Sequence, residues 1–185
     1  ISSILSLQRE NVKDENALEV LNESRRRINA IALIHRKLYQ DQKAHRVDFK
    51  SYLTELMESQ SDINSNVNCV IICEESKLNL DTAVPLGLII SELIINSMKH
   101  AFQGVENPML EIRLKEESQG HFLLSVKDNG IGLPDDFSLE DPSSLGTEII
   151  QALIEQIEAK ISFSNEGGAY FEIEFSDLTS NQATI

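Results

Sequence analysis

The sequence is poor in basic residues and has no long hydrophobic run. It contains 16 lysine and arginine residues against 30 aspartate and glutamate residues, so its formal net charge is -14 at pH 7. So acidic a chain argues against a nucleic-acid partner and against direct contact with an anionic membrane. No apolar run approaches the ~20 residues that a membrane-spanning helix needs, and no signal peptide is visible. The first residue is Ile1 rather than Met, and it already belongs to a helical stripe. We therefore expect a longer protein, either soluble or anchored in a membrane upstream.

Cysteine is scarce as well. The only two cysteines, Cys69 and Cys73, fall in one predicted strand. At ~3.3 Å per residue their Cα atoms would lie about 13 Å apart, which is too far for a disulfide. Two thiols without further clustered ligands also make a poor metal site. We therefore expect reduced, packed side chains and a cytoplasmic location.

The most informative stretch runs from Val126 to Pro134. An alternating run, His121 to Lys127, predicts a strand that ends at Asp128. Gly130 and Gly132 follow, and glycine permits positive φ and the close approach of a ligand. A carboxylate fixed at a strand end accepts a hydrogen bond from a buried amino group. Alone, the pattern also fits a plain Asp-Asn-Gly turn after a strand.

A predicted helix upstream of this stretch, Leu86 to Ala101, carries a second set of polar groups. Glu92, Asn96, Lys99 and His100 are spaced by four, three and one residues, so they fall on one helical flank. Such a flank presents an acid, an amide oxygen and two nitrogen groups to one ligand. Together the helix and the Asp128 stretch suggest a bound nucleotide with its metal.

Four motifs in this order resemble the GHKL ATPase superfamily, which includes sensor histidine kinases and gyrase-type ATPases. Residues Glu92–Ala101 resemble its N box, and residues Asp128–Gly132 resemble its G1 box. Residues Leu145–Glu148 stand where the G2 box belongs, and residues Gly167–Phe171 resemble the last glycine motif. The resemblance implies that the chain binds ATP with Mg²⁺.

The resemblance also implies roles for individual residues. Asn96 would be the Mg²⁺ ligand, and Asp128 would accept a hydrogen bond from the adenine amino group. Glu92 would be the catalytic residue, since it matches the acid that positions or deprotonates a water in gyrase-type ATPases. Lys99 and His100 would contact phosphate and ribose. The remaining ATP-binding positions would be Gly130, Ile131, Gly132, Leu145, Gly146 and Thr147. Two structural alternatives stay open: Asn96 as a buried polar bridge, and Lys99 as a solvated residue at a helix end.

Two departures from the family pattern concern affinity rather than fold. The G2 box keeps one clear glycine, Gly146, and Ala169 replaces a threonine that is common before the final strand. The predicted lid, Leu133 to Ser144, lies between the G1 box and the G2 box. It is acidic and cannot itself hold phosphate. We expect Mg²⁺, Lys99 and the free amides at Leu145 to Thr147 to meet the phosphate charge.

The first forty residues predict two helices, the second capped by Asp14. A heptad seam predicts a four-helix bundle between two subunits, with a cap packed on its own domain as the alternative. The polar side of the helix carries Glu19, Glu23, Arg26 and Arg27. The amino-acid sequence of this region resembles the dimerisation hairpin of a histidine-kinase subfamily allied to the HWE kinases. The matching positions are residues 5–8, Ala17, Leu18, Leu21, Ser24, Arg27, Ile28 and residues 32–39. The seam consists of Ala17, Leu21, Ser24, Ile28, Ile31, His35 and Leu38.

The predicted fold class is α+β, a two-layer α/β sandwich of the GHKL type preceded by an antiparallel helical hairpin. We divide the chain into the hairpin (1–40), a linker (41–47), the ATP-binding catalytic domain (48–177) and a tail (178–185). Within the domain, Asp48 is the expected N-cap of a helix that reaches Gln60.

The histidines differ in their predicted surroundings. His45 in the linker and His121 at a strand start are expected to be solvated. His35 falls on the seam, where a core histidine is favoured over a phosphoacceptor, and it matches the non-reactive histidine of the subfamily. The family's acceptor would precede Ile1, so we expect this chain to bind ATP without phosphorylating itself.

The resemblance implies a sensor histidine kinase of a two-component system. It would transfer the γ-phosphoryl group of ATP to a histidine on the dimerisation helix, and from there to the aspartate of a response-regulator receiver domain. The expected assembly is a homodimer through the hairpin. The alternatives are a GHKL ATPase, a serine kinase of the anti-sigma-factor type, and a nucleotide-insensitive dimerisation module.

Overall fold

The computed structural model describes residues 14–40, 46–60, 66–140 and 144–177. Within these ranges the helices are α1 (Glu15–Gln40), α2 (Phe49–Gln60), α3 (Leu80–Asn96), which continues as a π-helical turn (Ser97–Ala101), and α4 (Leu145–Gln156). The strands are β1 (Arg46–Asp48), β2 (Asn68–Cys73), β3 (Lys77–Asn79), β4 (Met109–Ser118), β5 (His121–Asp128), β6 (Lys160–Asn165) and β7 (Ala169–Ser176).

The main sheet has five strands in the order β2-β4-β5-β7-β6. Strands β2 and β4 are parallel, and the other neighbours are antiparallel. Alternate residues of β5, such as Phe122, Leu124 and Val126, are buried, while the residues between them are partly exposed. Because side chains alternate across a strand, one face of the sheet packs on the core and the other faces solvent. The predicted α+β sandwich is confirmed.

The core helix is α3. Its apolar residues are buried on nearly every side, among them Leu86, Ile90 and Ile94. With the π turn it runs from Leu80 to Ala101 and is, by length and composition, the one described helix that could cross a membrane. Our expectation that no run approaches that length was therefore wrong, and the reason is this core helix, 72% buried over its apolar window.

Two predicted boundaries differ from those in the structure. Helix α3 starts at Leu80 rather than Leu86, and Pro85 lies inside it. Arg46 and Val47, assigned to the linker, belong to β1, which pairs antiparallel with β3. Val47 is fully buried, so the end of the predicted linker belongs to the folded domain.

Helix α2 follows directly after β1. The Asp48 carboxylate accepts a hydrogen bond from the Ser51 amide at 3.0 Å, which is the predicted N-cap. Phe49, Leu53 and Leu56 are fully buried, as their spacing predicts.

Helix α1 packs on its own domain, which is the alternative that the sequence left open. Ala30, Leu33 and Ile34 are buried against it. The predicted seam is a different stripe, partly exposed in the single chain from Ala17 to Ile31, and His35 is exposed. The expectation of a core histidine concerns a seam between two subunits, so it stays a prediction. The first predicted helix lies outside the described residues, as do His45 and the tail, 178–185.

The cysteines lie together in β2 as predicted, and both are free. Cys73 is buried, and burial raises the pKa of its thiol to about 11. Cys69 is exposed, so the expectation that both are packed holds for Cys73 alone. His121 is exposed as expected, and its ring Nδ1 shares a hydrogen bond of 2.9 Å with the Ser176 hydroxyl.

Candidate nucleotide-binding site

The Asp128 carboxylate lies at the end of β5 and is 3% exposed. Its Oδ1 accepts hydrogen bonds from the amides of Gly130 at 2.9 Å and Ala169 at 3.0 Å. Its Oδ2 accepts one from the Ser97 hydroxyl at 2.8 Å. A buried carboxylate is tolerated only when its lone pairs are satisfied in this way. The bond to Ser97 joins the predicted N box to the predicted G1 box.

The glycines around Asp128 allow the protein's own backbone segments to touch. A Cβ on Gly130 would lie 2.3 Å from the Ala101 carbonyl oxygen, and one on Gly168 would lie 2.1 Å from the Asp128 carbonyl oxygen. Gly168 also has φ +138°, which other residues rarely adopt. We expected Gly130 to make room for a ligand, but its neighbour here is the end of the motif helix. The Ile131 side chain beside it is 68% exposed.

Glu92 is buried in the N box and faces α1. Its two carboxylate oxygens accept hydrogen bonds from Arg27, from Nε at 2.6 Å and from Nη2 at 2.8 Å. Both side chains are largely shielded, at 13% exposure for Arg27 and 3% for Glu92. The hydrogen bond to Glu92 holds the pKa of Arg27 above its usual value. On the other side, a Cβ on Gly146 would lie 2.9 Å from Glu92 Oε2, so the G2 glycine leaves room for this carboxylate.

Lys99 is also held by α1. Its ammonium group donates hydrogen bonds to Glu19 and Glu23, one helical turn apart. Burial lowers the pKa of Lys99, but the hydrogen bonds to the two carboxylates outweigh burial and raise the pKa overall. The pKa of Glu19 is lowered by the hydrogen bond from Lys99. Lys99 is therefore neither a solvated helix end nor an unengaged cation.

Asn96 and His100 have no hydrogen bonds to their side chains among the described residues. Asn96 is half-buried and His100 is exposed. The Asn96 amide oxygen is thus open to a ligand, which suits a hard cation such as Mg²⁺. No cluster of three or more His, Cys, Asp or Glu suited to a metal occurs in the part of the chain that the structure describes. A magnesium ion here would therefore rely on Asn96, water and the phosphates of its nucleotide, a combination that Mg²⁺ accepts.

The start of α4 is capped by its own side chains. The Ser144 hydroxyl accepts a hydrogen bond from the Thr147 amide at 3.3 Å, and Thr147 Oγ1 accepts one from the Ser144 amide at 3.2 Å. Thr147 is 5% exposed, whereas the Leu145 side chain is 52% exposed. The Thr147 amide, expected to be free for phosphate, is therefore engaged by the cap.

The segment before α4 is anchored to β6 at two points. The Leu133 amide donates a hydrogen bond to Asn165 Oδ1 at 2.7 Å, and the Phe137 ring meets the Phe163 ring edge-on at 5.0 Å. Of the predicted lid, Leu133–Ser144, residues 141–143 lie outside the described ranges. The lid base is thus fixed to the sheet.

The structure brings all four motifs together around Asp128 and Glu92. Sequence reasoning missed Arg27, Glu19 and Glu23, which we assigned to the solvated side of α1, and it missed Ser97. One signal was available: Arg27, Ala30 and Ile34 follow the three- and four-residue spacing of a packed helix face.

Family models match most of the chain. Residues 1–63 match a family described as histidine kinase, and residues 81–179 match the histidine kinase-, DNA gyrase B- and HSP90-like ATPases. The chain belongs to the sensor histidine kinases. The family inferred from the four motifs and from the sequence of the hairpin is thereby confirmed.

This histidine kinase chain is similar to the sensor histidine kinase PdtaS of Mycolicibacterium smegmatis. The two are 29% identical over 157 residues, which is 83% of this chain and 31% of PdtaS. It is also 27% identical to the blue-light-activated histidine kinase 2 of Erythrobacter litoralis over 88 residues, 48% of this chain and 25% of that protein. The chain thus spans less than a third of the length of these relatives.

Solved structures show the same fold. The histidine kinase domain of the Erythrobacter litoralis EL346 blue-light activated histidine kinase has a TM-score of 0.76 at 18% identity, and the match covers 95% of this chain and 92% of that domain. The Acinetobacter baumannii histidine kinase AdeS has a TM-score of 0.64 at 19% identity, over 96% of this chain and 95% of that chain. Both likenesses include the α1 region as well as the sheet.

Proposed function

We propose that this chain binds ATP with Mg²⁺ between the N-box helix and the G1 loop, reading adenine through Asp128. A carboxylate has about four acceptor positions, and three donors already fill positions on Asp128. The position left on Oδ2 suits the adenine amino group. Guanine presents a carbonyl oxygen at that point and would face a carboxylate without a donor between them. This remaining acceptor is the observation that carries the proposal.

The phosphate end of the ligand would lie toward Lys99. A lysine is a mobile point charge that suits polyphosphate, and Asn96 would hold the metal, which supplies charge neutralisation at the phosphates when bound. His100 would contact the ribose or phosphate. Gly130, Ile131, Gly132, Leu145, Gly146 and Thr147 would form the walls of the site. Of these, the exposed Ile131 and Leu145 offer apolar surface to the nucleotide.

The pairing of Glu92 supports a kinase over a gyrase-type ATPase. A general base must lie within hydrogen-bond reach of the water from which it takes a proton. The Arg27 guanidinium binds both oxygens of Glu92 and fixes the carboxylate toward α1, which favours a positioning role for this acid. The proposed reaction is transfer of the γ-phosphoryl group to a histidine of the dimerisation helix upstream of Ile1, and then to a receiver-domain aspartate.

His35 is an unsuitable acceptor although it is exposed. It follows Arg27 by eight residues on α1, which places it about 12 Å further along the helix axis at ~1.5 Å per residue. Lys99 contacts α1 on the N-terminal side of Arg27, at Glu19 and Glu23, whereas His35 lies on the C-terminal side. In-line transfer needs an imidazole beside the γ-phosphate.

We further propose that the full protein is a cytoplasmic-facing homodimer through residues 1–40.

Nucleotide selectivity tests the proposal. Calorimetry should give tighter binding of ATP than of GTP, and Asp128→Asn should weaken ATP binding about 10–100-fold, the value of one charged hydrogen bond. In this variant the new amide would donate to the Ser97 oxygen and point a second hydrogen at the adenine amino group. Purine riboside triphosphate, which lacks that amino group, should bind parent and variant alike.

Asp81→Asn serves as the control, because Asp81 is exposed and lies at the other end of α3. Equal affinity of the parent for ATP and GTP, or unchanged ATP binding by Asp128→Asn, would overturn the adenine assignment.

Phosphoryl transfer is tested with γ-labelled ATP. The chain that begins at Ile1 should acquire no stoichiometric acid-labile label, and a version extended upstream through the family's histidine should acquire one. Peptide mapping that places the label on His35 would contradict the proposed acceptor.

A further inference from the structure

We propose that α1 and the nucleotide phosphates compete for Lys99, so that ATP binding releases the N-terminal half of α1 from the catalytic domain. This inference rests on the proposed function, because Lys99 must serve the phosphates for the competition to exist. The residues of α1 that take part are Glu19 and Glu23, while Arg27 marks the point beyond which α1 stays docked.

The contacts between α1 and α3 run in opposite order along the two helices. Glu19 and Glu23 meet Lys99, Arg27 meets Glu92, and Ile34 approaches Gly87, where a Cβ would lie 2.8 Å from Ile34 Cδ1. The two helices are therefore antiparallel neighbours. The Gly87 end of this contact is apolar, and the Lys99 end is charged.

The charged end holds the very group that the phosphates need. An ammonium group has three donors, and two of those on Lys99 go to carboxylates of α1. Lys99 is 19% exposed, whereas its partners are more open, at 56% for Glu19 and 22% for Glu23. A polyphosphate that approaches Lys99 brings like charge against both carboxylates. Because like charges repel, phosphate and carboxylates cannot share this cation without cost.

The apolar end has no such competitor. Ala30, Leu33 and Ile34 are 5% exposed or less, and they face the core far from Lys99. The Arg27–Glu92 pair is buried between the two ends and is more costly to break than an exposed pair. The helix therefore has a segment that a phosphate can displace, Glu19 to Glu23, next to a segment that it cannot.

Three consequences separate this competition from simple binding. The cost of releasing Lys99 falls on ligands that carry phosphate and not on adenosine. It disappears when the two carboxylates are removed. The cost also disappears when Lys99 itself is replaced, because the carboxylates and the phosphates then have no ammonium group to compete for.

The test compares the Glu19→Gln/Glu23→Gln variant with the parent by calorimetry, using ATP and adenosine. The variant should bind ATP at least about 5-fold tighter, while adenosine affinity should change less than about 2-fold. Glu111→Gln/Glu174→Gln is the matched control, with the same change of net charge on strands β4 and β7, and it should leave ATP affinity nearly unchanged. In a Lys99→Gln background the α1 double substitution should have no effect on ATP binding.

Equal gains for the α1 variant and the sheet control would assign the effect to net charge and overturn the competition. Unchanged ATP affinity of the α1 variant would overturn it as well. The single Glu19→Gln variant, at an exposed position, gives the same comparison if the double variant is unstable. A parent that binds neither ATP nor adenosine would instead refute the proposed function, and the two failures are thus distinguishable.

Discussion

The two halves of helix α1 contact the same domain through different interactions, apolar burial in one half and ion pairs in the other. The half around Ala30 to Ile34 is held by apolar burial, and the ion pairs of Arg36 and Lys37 beyond it go to Glu55 of α2 rather than to the nucleotide site. The half around Glu19 to Arg27 is held by ion pairs to Lys99 and Glu92. The more exposed pairs with Lys99 respond to other charges that enter the site, whereas the buried Arg27–Glu92 pair stays in place. One helix thus combines a fixed anchor with a segment that its ligand can displace.

The largest effect is expected where the charged half is buried. Arg27→Met leaves the Glu92 carboxylate buried without its partner, which costs about 3–5 kcal/mol for pairs of this kind. Denaturant unfolding of parent and variant measures the loss. Arg26→Met, one residue earlier, is the matched control, because Arg26 makes no comparable ion pair in the described structure.

Replacing both partners sharpens this prediction. The Arg27→Met/Glu92→Met variant removes the charges together and should recover most of the stability that Arg27→Met loses. If the double variant is as unstable as the sum of the two single variants, the pair does not act as a unit and Arg27 stabilises α1 by packing alone.

A smaller effect is expected in the apolar half. Ile34→Val removes one methyl group from a fully buried position and should cost about 0.5–1.5 kcal/mol of unfolding free energy. Because Ile34 lies at the anchored end, the ratio of ATP to adenosine affinity should stay at the parent value. Ile31→Val, at a partly exposed position, should cost less. A changed affinity ratio in Ile34→Val would show that the two halves of α1 are not independent.

The sequence predicted more of the domain than of its contact with α1. Alternation along β5 and the Asp48 cap gave the sheet and α2, because each depends on neighbours in the chain. The motif order gave the grouping around Asp128. What the sequence analysis missed was the face of α1 that packs on the domain, since two stripes, one through Ile28 and one through Ile34, both repeat at helical spacing. Only the shape of the domain surface decides between such stripes.

The role of individual polar residues was harder still to predict. Nothing in the sequence distinguishes Ser97 from any other small residue inside a motif. Its hydrogen bond to the Asp128 carboxylate depends on where β5 ends relative to α3. Gly130 reads as an opening for ligand, yet Ala101 occupies the space beside it. Both assignments need distances between segments that lie about thirty residues apart in the sequence.

The smallest effect concerns pH. The hydrogen bond from Lys99 lowers the pKa of Glu19 below its ordinary value of 4.5, so the folded state favours the ionised carboxylate. The stabilisation is present above pH 4.5 and is lost as pH falls through the lowered folded-state pKa. Because Glu19 is exposed, we expect only a few tenths of a kcal/mol. Unfolding of the parent and of Glu19→Gln should differ at pH 7 and converge as the solution is acidified below pH 4.5.

Salt gives an independent check on the pH comparison. Exposed pairs are screened at high ionic strength, so the difference between parent and Glu19→Gln at pH 7 should shrink in about 1 M salt. A difference that survives both acid and salt would mean that Glu19 contributes by packing and not by its charge.

Amide hydrogen exchange along α1 tests the central claim most directly, because it reports which half of the helix opens. With saturating ATP and Mg²⁺, exchange should speed up in peptides that cover residues 17–25 and stay slow in peptides that cover residues 29–37, relative to the free protein. Saturating adenosine should leave both sets of peptides as they are in the free protein. Unchanged or slower exchange at residues 17–25 with ATP would contradict the competition for Lys99, and equal opening of both sets would contradict the division of α1 into two halves.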